Sequence, residues 1–291
     1  MRDLHSAPPL QRGDTVATVA ASSALRDSQR LNEGLVILKS WGLHLLEQSV
    51  TGRHWGYLAG TDQARRQDLV QSARLLACAR GGWGAARLLE DPPAWSPGWL
   101  LGFSDVTALL WARQSAGYSG NLHGPLLTTL SREPAWSQDR LKRLLFGETV
   151  EDLRGTPWGG GHATGPLLVA NLTVASHLLG SSHVPELRGA ILILEDVGEE
   201  PYRIDRMLTH WRLCGALQQL AGIGFGRFTG CEADADSESF RLEAILRERT
   251  SDLAIPCVSD LPVGHIEGNA ALPLGRVACL DGDEGLLSLL P

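Results

Sequence analysis

The sequence has no lysine or arginine run longer than a pair, no Cys-x-x-Cys, no His-Glu-x-x-His and no unbroken apolar stretch of transmembrane length. Each gap removes a class of function. A formal net charge of −7 without clustered bases offers nothing to track a phosphate backbone, so no nucleic-acid partner is expected. The five cysteines (Cys78, Cys214, Cys231, Cys257, Cys279) are odd in number and scattered. That is the pattern of buried free thiols in a reducing cytoplasm, not of a disulfide framework. With dispersed histidines, no metal site is expected. The most apolar long segment, 165–180, is broken by Asn171, Thr173, Ser176 and His177 and is too short to cross a bilayer. Residues 1–9 carry a charge pair, His5 and two prolines without an apolar centre, so no secretory leader is expected.

What is present is ordinary for a globular chain: 43% hydrophobic and 20% charged residues over 291 positions, enough for one large domain or two smaller ones. The first half alternates two kinds of segment. Residues 15–21, 43–50, 75–79 and 99–102 read as buried strands. Helices are predicted after Ser22 or Ser23 as N-cap, over 61–74 with Thr61 as N-cap, from 85 to 89, and over 106–114. This rhythm predicts a parallel sheet with helices on both faces. Between 131 and 161 the pattern weakens around two prolines, a charged helix at 139–146 and the run Gly159-Gly160-Gly161. A boundary is placed there, giving domains 1–150 and 151–291. The second half predicts helices at 170–179, 204–213 and 239–249, strands at 190–194 and 220–228, and shorter strands near Cys257 and Ala278. The fold class expected is α/β, with an N-terminal parallel-sheet domain and a smaller C-terminal domain of mixed strands.

Three short segments carry chemistry. Gly102-Phe103-Ser104-Asp105 lies at a strand-to-helix turn, which lifts a side chain off the sheet edge and aims the next backbone N–H at whatever the hydroxyl meets. It is half of G-x-S-x-G, since Val106 replaces the second glycine, and a serine there also suits a plain helix cap. Glu195 and Asp196 end an apolar strand, where a carboxylate is costly unless paired; an ion pair with Arg203 or Arg206 is the structural alternative. His265 follows Gly264 in a loop without periodicity, where a solvated histidine is the plain reading. A serine, a histidine and a carboxylate are the parts of a nucleophilic triad. A fourth segment, Arg80-Gly81-Gly82-Trp83-Gly84, could bring backbone amides close to a ligand as an oxyanion hole requires, or form a simple tight turn.

Together these segments resemble the LD-carboxypeptidase family of serine peptidases, which includes muramoyl-tetrapeptide carboxypeptidase and the microcin C self-immunity peptidase. The resemblance runs through 15–23 (TVATVAASS), 59–62 (AGTD), 80–89 (RGGWGAARLL), 101–109 (LGFSDVTAL) and 123–125 (HGP). It continues through 192–199 (LILEDVGE), 202–208 (YRIDRML), 264–265 (GH) and 272–275 (LPLG). It implies Ser104 as nucleophile, Glu195 as triad carboxylate, His265 as base, and the amides of Gly82 and Asp105 as oxyanion hole, in an active site at an interdomain cleft. Two departures stand out. Ala20-Ala21-Ser22-Ser23 replaces the family's A-P-S-S, and Val169-Ala170-Asn171-Leu172 replaces its G-G-N-L, which bears on substrate detail.

The implied activity is release of terminal D-alanine from a cytoplasmic murein tetrapeptide during peptidoglycan recycling, with no cofactor. The alternative keeps the triad and changes the substrate to a peptidyl-nucleotide or other acyl-amino-acid conjugate, for which the nine tryptophans offer stacking platforms. A non-catalytic binding module would require a broken triad, and the three positions are intact. Arg80, Trp83 and Arg203 are the nearest candidates in sequence for holding substrate. The expected partner is a murein peptide, with no membrane or nucleic acid; a homodimer is allowed.

Overall fold

The computed structural model describes residues 7–26, 28–47, 49–234 and 238–290. The reading of 1–9 as leaderless falls largely outside them. Two compact units account for the chain: Met1–Val150 with Glu267–Leu274, and Glu151–Ile266 with Gly275–Pro291.

The first unit begins with β1 (Thr15–Val19), α1 (Ser28–Ser40), β2 (His44–Leu45), α2 (Asp62–Leu69), β3 (Leu75–Cys78), β4 (Trp99–Gly102), α3 (Thr107–Ser115), β5 (Asn121–His123), α4 (Leu127–Leu130) and α5 (Ala135–Leu145). Strands β1 to β5 are mutually parallel in the order β5-β4-β3-β1-β2. Their apolar runs do not alternate because a parallel sheet covered on both faces has no wet side, and all four residues of β3 are buried. Thr61 caps α2, its hydroxyl accepting the Ala64 N–H at 3.2 Å.

Several boundaries differ from expectation. Helix α1 starts at Ser28, and neither Ser22 nor Ser23 caps it. Ser22 is buried, and Ser23 bridges to Leu58. The second strand, expected over 43–50, is His44–Leu45, a sheet edge paired on one side to β1; Gln48 of the expected span lies outside the described residues. Helix α2 ends at Leu69, five residues early, and Ala86–Glu90 is a 3-10 turn. Strand β5 and helix α4, three and four residues long, are too short to show a period.

The second unit holds β6 (Leu153–Arg154), β7 (Thr156–Pro157), β8 (His162–Asn171), α6 (Leu172–Leu178), β9 (Ile191–Val197), α7 (Pro201–Leu213), β10 (Gly222–Thr229), α8 (Leu242–Thr250) and β11 (Cys257–Ser259). After β12 (Leu272–Pro273) come β13 (Val277–Asp281) and β14 (Leu286–Leu289). Its eight-stranded sheet is mixed, in the order β6-β14-β13-β8-β9-β10-β11-β7, with β8 to β11 parallel and the flanking strands antiparallel. The helix expected at 170–179 is a strand to Asn171 and a helix only from Leu172. An apolar run between two partner strands looks the same as a buried helix in sequence. Strand β12 pairs antiparallel with β5, so Glu267–Leu274 belongs to the first unit although it follows Ile266. The Glu133 carboxylate accepts the N–H groups of Gly268 and Asn269 at 2.8 and 3.0 Å and fastens this segment.

All five cysteines are free, but only Cys78, Cys231 and Cys257 are buried; Cys214 is exposed just past the end of α7 and Cys279 is half-buried. Burial pushes the thiols of Cys231 and Cys257 up to about 11 and about 12. Among the described residues, no helix is long and apolar enough to cross a membrane.

One helix contact turns an ordinary propensity rule around. A Cβ on Gly34, in the middle of α1, would lie 2.0 Å from the backbone oxygen of Leu127 at the start of α4. Alanine improves an isolated helix by about 1 kcal/mol. Here the backbones must separate, so Gly34→Ala should lower stability by about 1–3 kcal/mol in denaturant titration. A stabilised variant would show that α1 does not depend on this approach.

Candidate active site

Strand β4 ends at Gly102, and Phe103 is extended. Ser104 then takes φ +62°, a left-handed conformation that costs a non-glycine residue on the order of 1–3 kcal/mol. The chain continues through a 3-10 turn, Ser104–Val106, directly into α3. The turn is tight because Gly102 has no side chain: a Cβ there would lie 2.8 Å from Val106 Cγ1 and 3.1 Å from Cys78 Cβ. Val106, which spoiled the G-x-S-x-G pattern, is thus the residue packed onto Gly102. Phe103 holds the cap position of this turn and Val106 that of α3.

The glycine loop lies against this turn. A Cβ on Gly81 would be 2.9 Å from both Cβ and Oγ of Ser104 and 3.6 Å from the Asp105 nitrogen. Any side chain at 81 would occupy the space in front of the hydroxyl and the following amide. Gly82 has φ +111°, and a Cβ there would strike Ser23. The Trp83 N–H donates to Ser23 Oγ at 3.1 Å. Asp105 is buried, and its Oδ2 accepts the Ala85 N–H at 2.8 Å, tying the serine turn to the end of the glycine loop.

The second unit brings Glu195 and His265 together. Glu195 is the fifth residue of β9 and its side chain is fully buried. His265 Nδ1 lies 2.7 Å from Glu195 Oε2. With its Nδ1 proton donated to that carboxylate, the imidazole presents Nε2 as a base. The His265 loop is pressed onto the strand: a Cβ on Gly264 would lie 2.9 Å from Glu195 Cβ and Oε2, and φ there is +122°. Two bonds from β10 hold the loop, Arg227 N–H to Val263 O at 2.7 Å and Thr229 Oγ1 to His265 O at 3.0 Å.

Of the two readings open for these carboxylates, the ion pair with Arg203 or Arg206 does not form. Asp196 accepts Asn171 Nδ2 at 3.0 Å and both the N–H and hydroxyl of Thr173 at 2.8 Å. Asn171 in turn caps α6 through Val174 N–H at 3.1 Å, the task that this asparagine performs in the departing Val169-Ala170-Asn171-Leu172 segment. Burial pushes the Asp196 carboxyl up. Arg203 sits on the exposed face of α7, 3.5 Å from Glu199 and stacked near Tyr202. Arg80 directs Nη1 to Ala24 O at 3.0 Å and Nε to Gly81 O at 3.3 Å, and Trp83 is 43% exposed. No group of three or more histidine, cysteine or acidic side chains among the described residues could hold a metal.

Two family models match the chain, the LD-carboxypeptidase N-terminal domain over residues 16–124 and its C-terminal domain over 164–280. The chain belongs to the LD-carboxypeptidase family. It is a serine-type carboxypeptidase, a hydrolase. A Synechocystis protein with a carboxypeptidase name is 49% identical over 290 residues, covering 97% of this chain and 96% of its own. The murein tetrapeptide carboxypeptidase of Pseudomonas aeruginosa is 36% identical, covering 80% and 83%. The crystal structure of muramoyltetrapeptide carboxypeptidase from Oxalobacter formigenes superposes with a TM-score of 0.84 at 26% identity, covering 94% and 97%. MccF in complex with glutamyl sulfamoyl guanosine shares the fold, with a TM-score of 0.86 at 21% identity over 99% and 98%.

Sequence reasoning singled out the glycine loop but not Gly81 as its steric key, nor the Gly264 contact with Glu195. The signal for both was a glycine next to a candidate reactive residue. Gly81→Ala should lower turnover by about a hundredfold, as a misplacement of about 1 Å does, with little change in Tm. Unaltered turnover would place the hydroxyl's working space elsewhere. Burial also pushes the Asp105 carboxyl up, against hydrogen bonds that include the Ala85 and Gly84 amides. The folded chain therefore holds this proton more firmly than the unfolded chain. The resulting stability is present in acid and fades as pH rises through the folded titration. The parent should lose stability relative to Asp105→Asn as pH rises above about 4, the ordinary carboxylate value; a constant difference would contradict the shift.

Proposed function

We propose that this carboxypeptidase removes the terminal D-alanine from a murein tetrapeptide, cutting a bond between an L-centre and a D-residue. Ser104 Oγ attacks the scissile carbonyl and its proton passes to His265 Nε2. Glu195 orients the imidazole and stabilises the imidazolium. The amides of Gly82 and Asp105 take the oxyanion, His265 protonates the leaving amine, and water then hydrolyses the acyl-enzyme by the reverse sequence. The observation that carries this reading is the 2.7 Å contact between His265 and the fully buried Glu195. A carboxylate placed there serves an imidazole and no arginine. The left-handed Ser104 at a strand-to-helix turn supplies the matching nucleophile. The name of the Pseudomonas aeruginosa relative supports the substrate class. We assign the activity to cytoplasmic recycling of murein peptides, which the free cysteines suit.

Incubation with murein tetrapeptide should yield tripeptide and D-alanine by mass spectrometry. A terminal L-alanine cleaved as fast would refute the L,D assignment, and preferred turnover of an aminoacyl-nucleotide conjugate would favour the other substrate class. Ser104→Ala should lose about a thousandfold or more in kcat/KM while keeping its Tm. Activity should fall on acidification, because a protonated His265 cannot accept the serine proton.

A further inference from the structure

Next to the glycine loop, within the first unit, is a cavity of about 660 Å³. Three arginines, Arg26, Arg53 and Arg80, line it together with His54, Tyr57 and Ser23, and among the described residues no acidic side chain does. The arginines are not equivalent. Arg53 is spent on Asp68, with two parallel bonds of 2.9 and 2.7 Å. Arg80 is held only by the carbonyl oxygens of Ala24 and Gly81, which orient it without cancelling its charge. Among the described residues, neither Arg26 nor Arg80 has a carboxylate partner. Two guanidinium groups without a carboxylate partner on one cavity leave it positively charged, a setting that favours an anion.

The cavity's position selects the anion. Ser23 and Arg80 flank the backbone of Gly82: a Cβ there would lie 2.4 Å from Ser23 Oγ and 3.7 Å from Arg80 Nη2. The neighbouring Gly81 touches Ser104. Two successive glycines thus face the serine turn at Gly81 and the cavity-lining Ser23 and Arg80 at Gly82. In a carboxypeptidase substrate, the free carboxylate follows the scissile carbonyl by one residue, about 3.8 Å along the chain.

We propose that this cavity is the chain-end subsite, where Arg26 and Arg80 bind the free carboxylate of the residue to be released. The proposal rests on the carboxypeptidase reading with Ser104 as nucleophile. It makes the pair specificity residues that recognise the leaving amino acid by charge. Arg53 serves as a wall fixed by Asp68 and Tyr57 as an exposed aromatic flank.

The test is calorimetric binding to the Ser104→Ala protein, which reads affinity without turnover. The ligands are murein tetrapeptide, its C-terminal amide, and a tetrapeptide whose internal D-glutamate carboxylate is amidated instead. The chain-end amide should bind roughly ten- to a hundredfold more weakly, the loss expected for a charged hydrogen bond. The internal amide should bind almost as well as the parent peptide. Adding Arg26→Ala or Arg80→Gln should shrink the acid-to-amide ratio toward one, and kcat/KM in the serine enzyme should follow. Arg80 also props the Ala24 loop; Arg26, exposed on the rim, gives a variant that leaves these bonds in place. Equal binding of acid and amide, or a ratio that survives both arginine changes, overturns the subsite. A preference that follows the internal carboxylate overturns its assignment to the chain end. Acid-selective binding lost in both variants, in a parent that leaves the tetrapeptide uncut, keeps the subsite and overturns the cleavage reading instead.

Discussion

The serine turn depends on a buried arginine. Arg65, on α2, is fully buried, and a guanidinium out of water must find acceptors or destabilise the fold by several kcal/mol. It finds the carbonyl oxygens of Ala21 and Gly84 and the Asp62 carboxylate. Those acceptors fix the start of the loop after β1 and the last glycine of the loop after β3. Ala85 follows at once and donates to Asp105, the residue after Ser104. A left-handed serine is thus held by a chain of charge-assisted bonds from α2, through the glycine loop, to the start of α3. Asp62 stabilises the far end: a hydrogen bond from Arg87 and the Arg65 charge hold its carboxyl down at about 2.

The second unit solves a similar problem with a different device. Two adjacent carboxylates close β9, and both leave water. Side chains alternate across a strand, so Glu195 and Asp196 point to opposite faces and meet separate partners. Asp196 is absorbed by Asn171 and Thr173 at the start of α6. Glu195 is reserved for His265, and the missing side chain at Gly264 lets the histidine loop come down on it. The same logic governs both reactive segments. A glycine makes room, a buried charged group fixes the backbone, and the reactive side chain has one position left.

Charge is then distributed by function. Most arginines near the first unit's loops are neutralised by a partner, as Arg53 is by Asp68 and Arg87 by Asp62. Arg80 is instead oriented by carbonyl oxygens, which hold a cation in place without reducing its attraction for an anion. The distinction between an arginine that is paired and one that is merely oriented separates scaffold from candidate binding group.

Much of this was legible in the amino-acid order. The strands at 75–79 and 99–102, the cap at Thr61 and the α/β class follow from apolar runs, turn residues and local hydrogen bonding, which act over a few positions. The two-residue edge strand and the β8–α6 junction were not legible, because an apolar run does not say which neighbours cover it. Ser104, Glu195 and His265 were marked by residue type and by their places at strand ends, and the family resemblance named their roles. The partners were another matter. The residues left two readings open for the carboxylates, an ion pair with Arg203 or Arg206 and the triad role that the resemblance gave Glu195. In the structure Glu195 meets His265, seventy positions away, and Asp196 meets Asn171 and Thr173, partners that nothing in the sequence had marked. Arg26, His54 and Tyr57 carried no signal at all, since their cavity is formed by loops without period. Local propensity and burial pattern are properties of short segments and can be read along the chain. The choice among distant polar partners is made only when the backbone closes, because the cost of a buried charge depends on which atoms surround it.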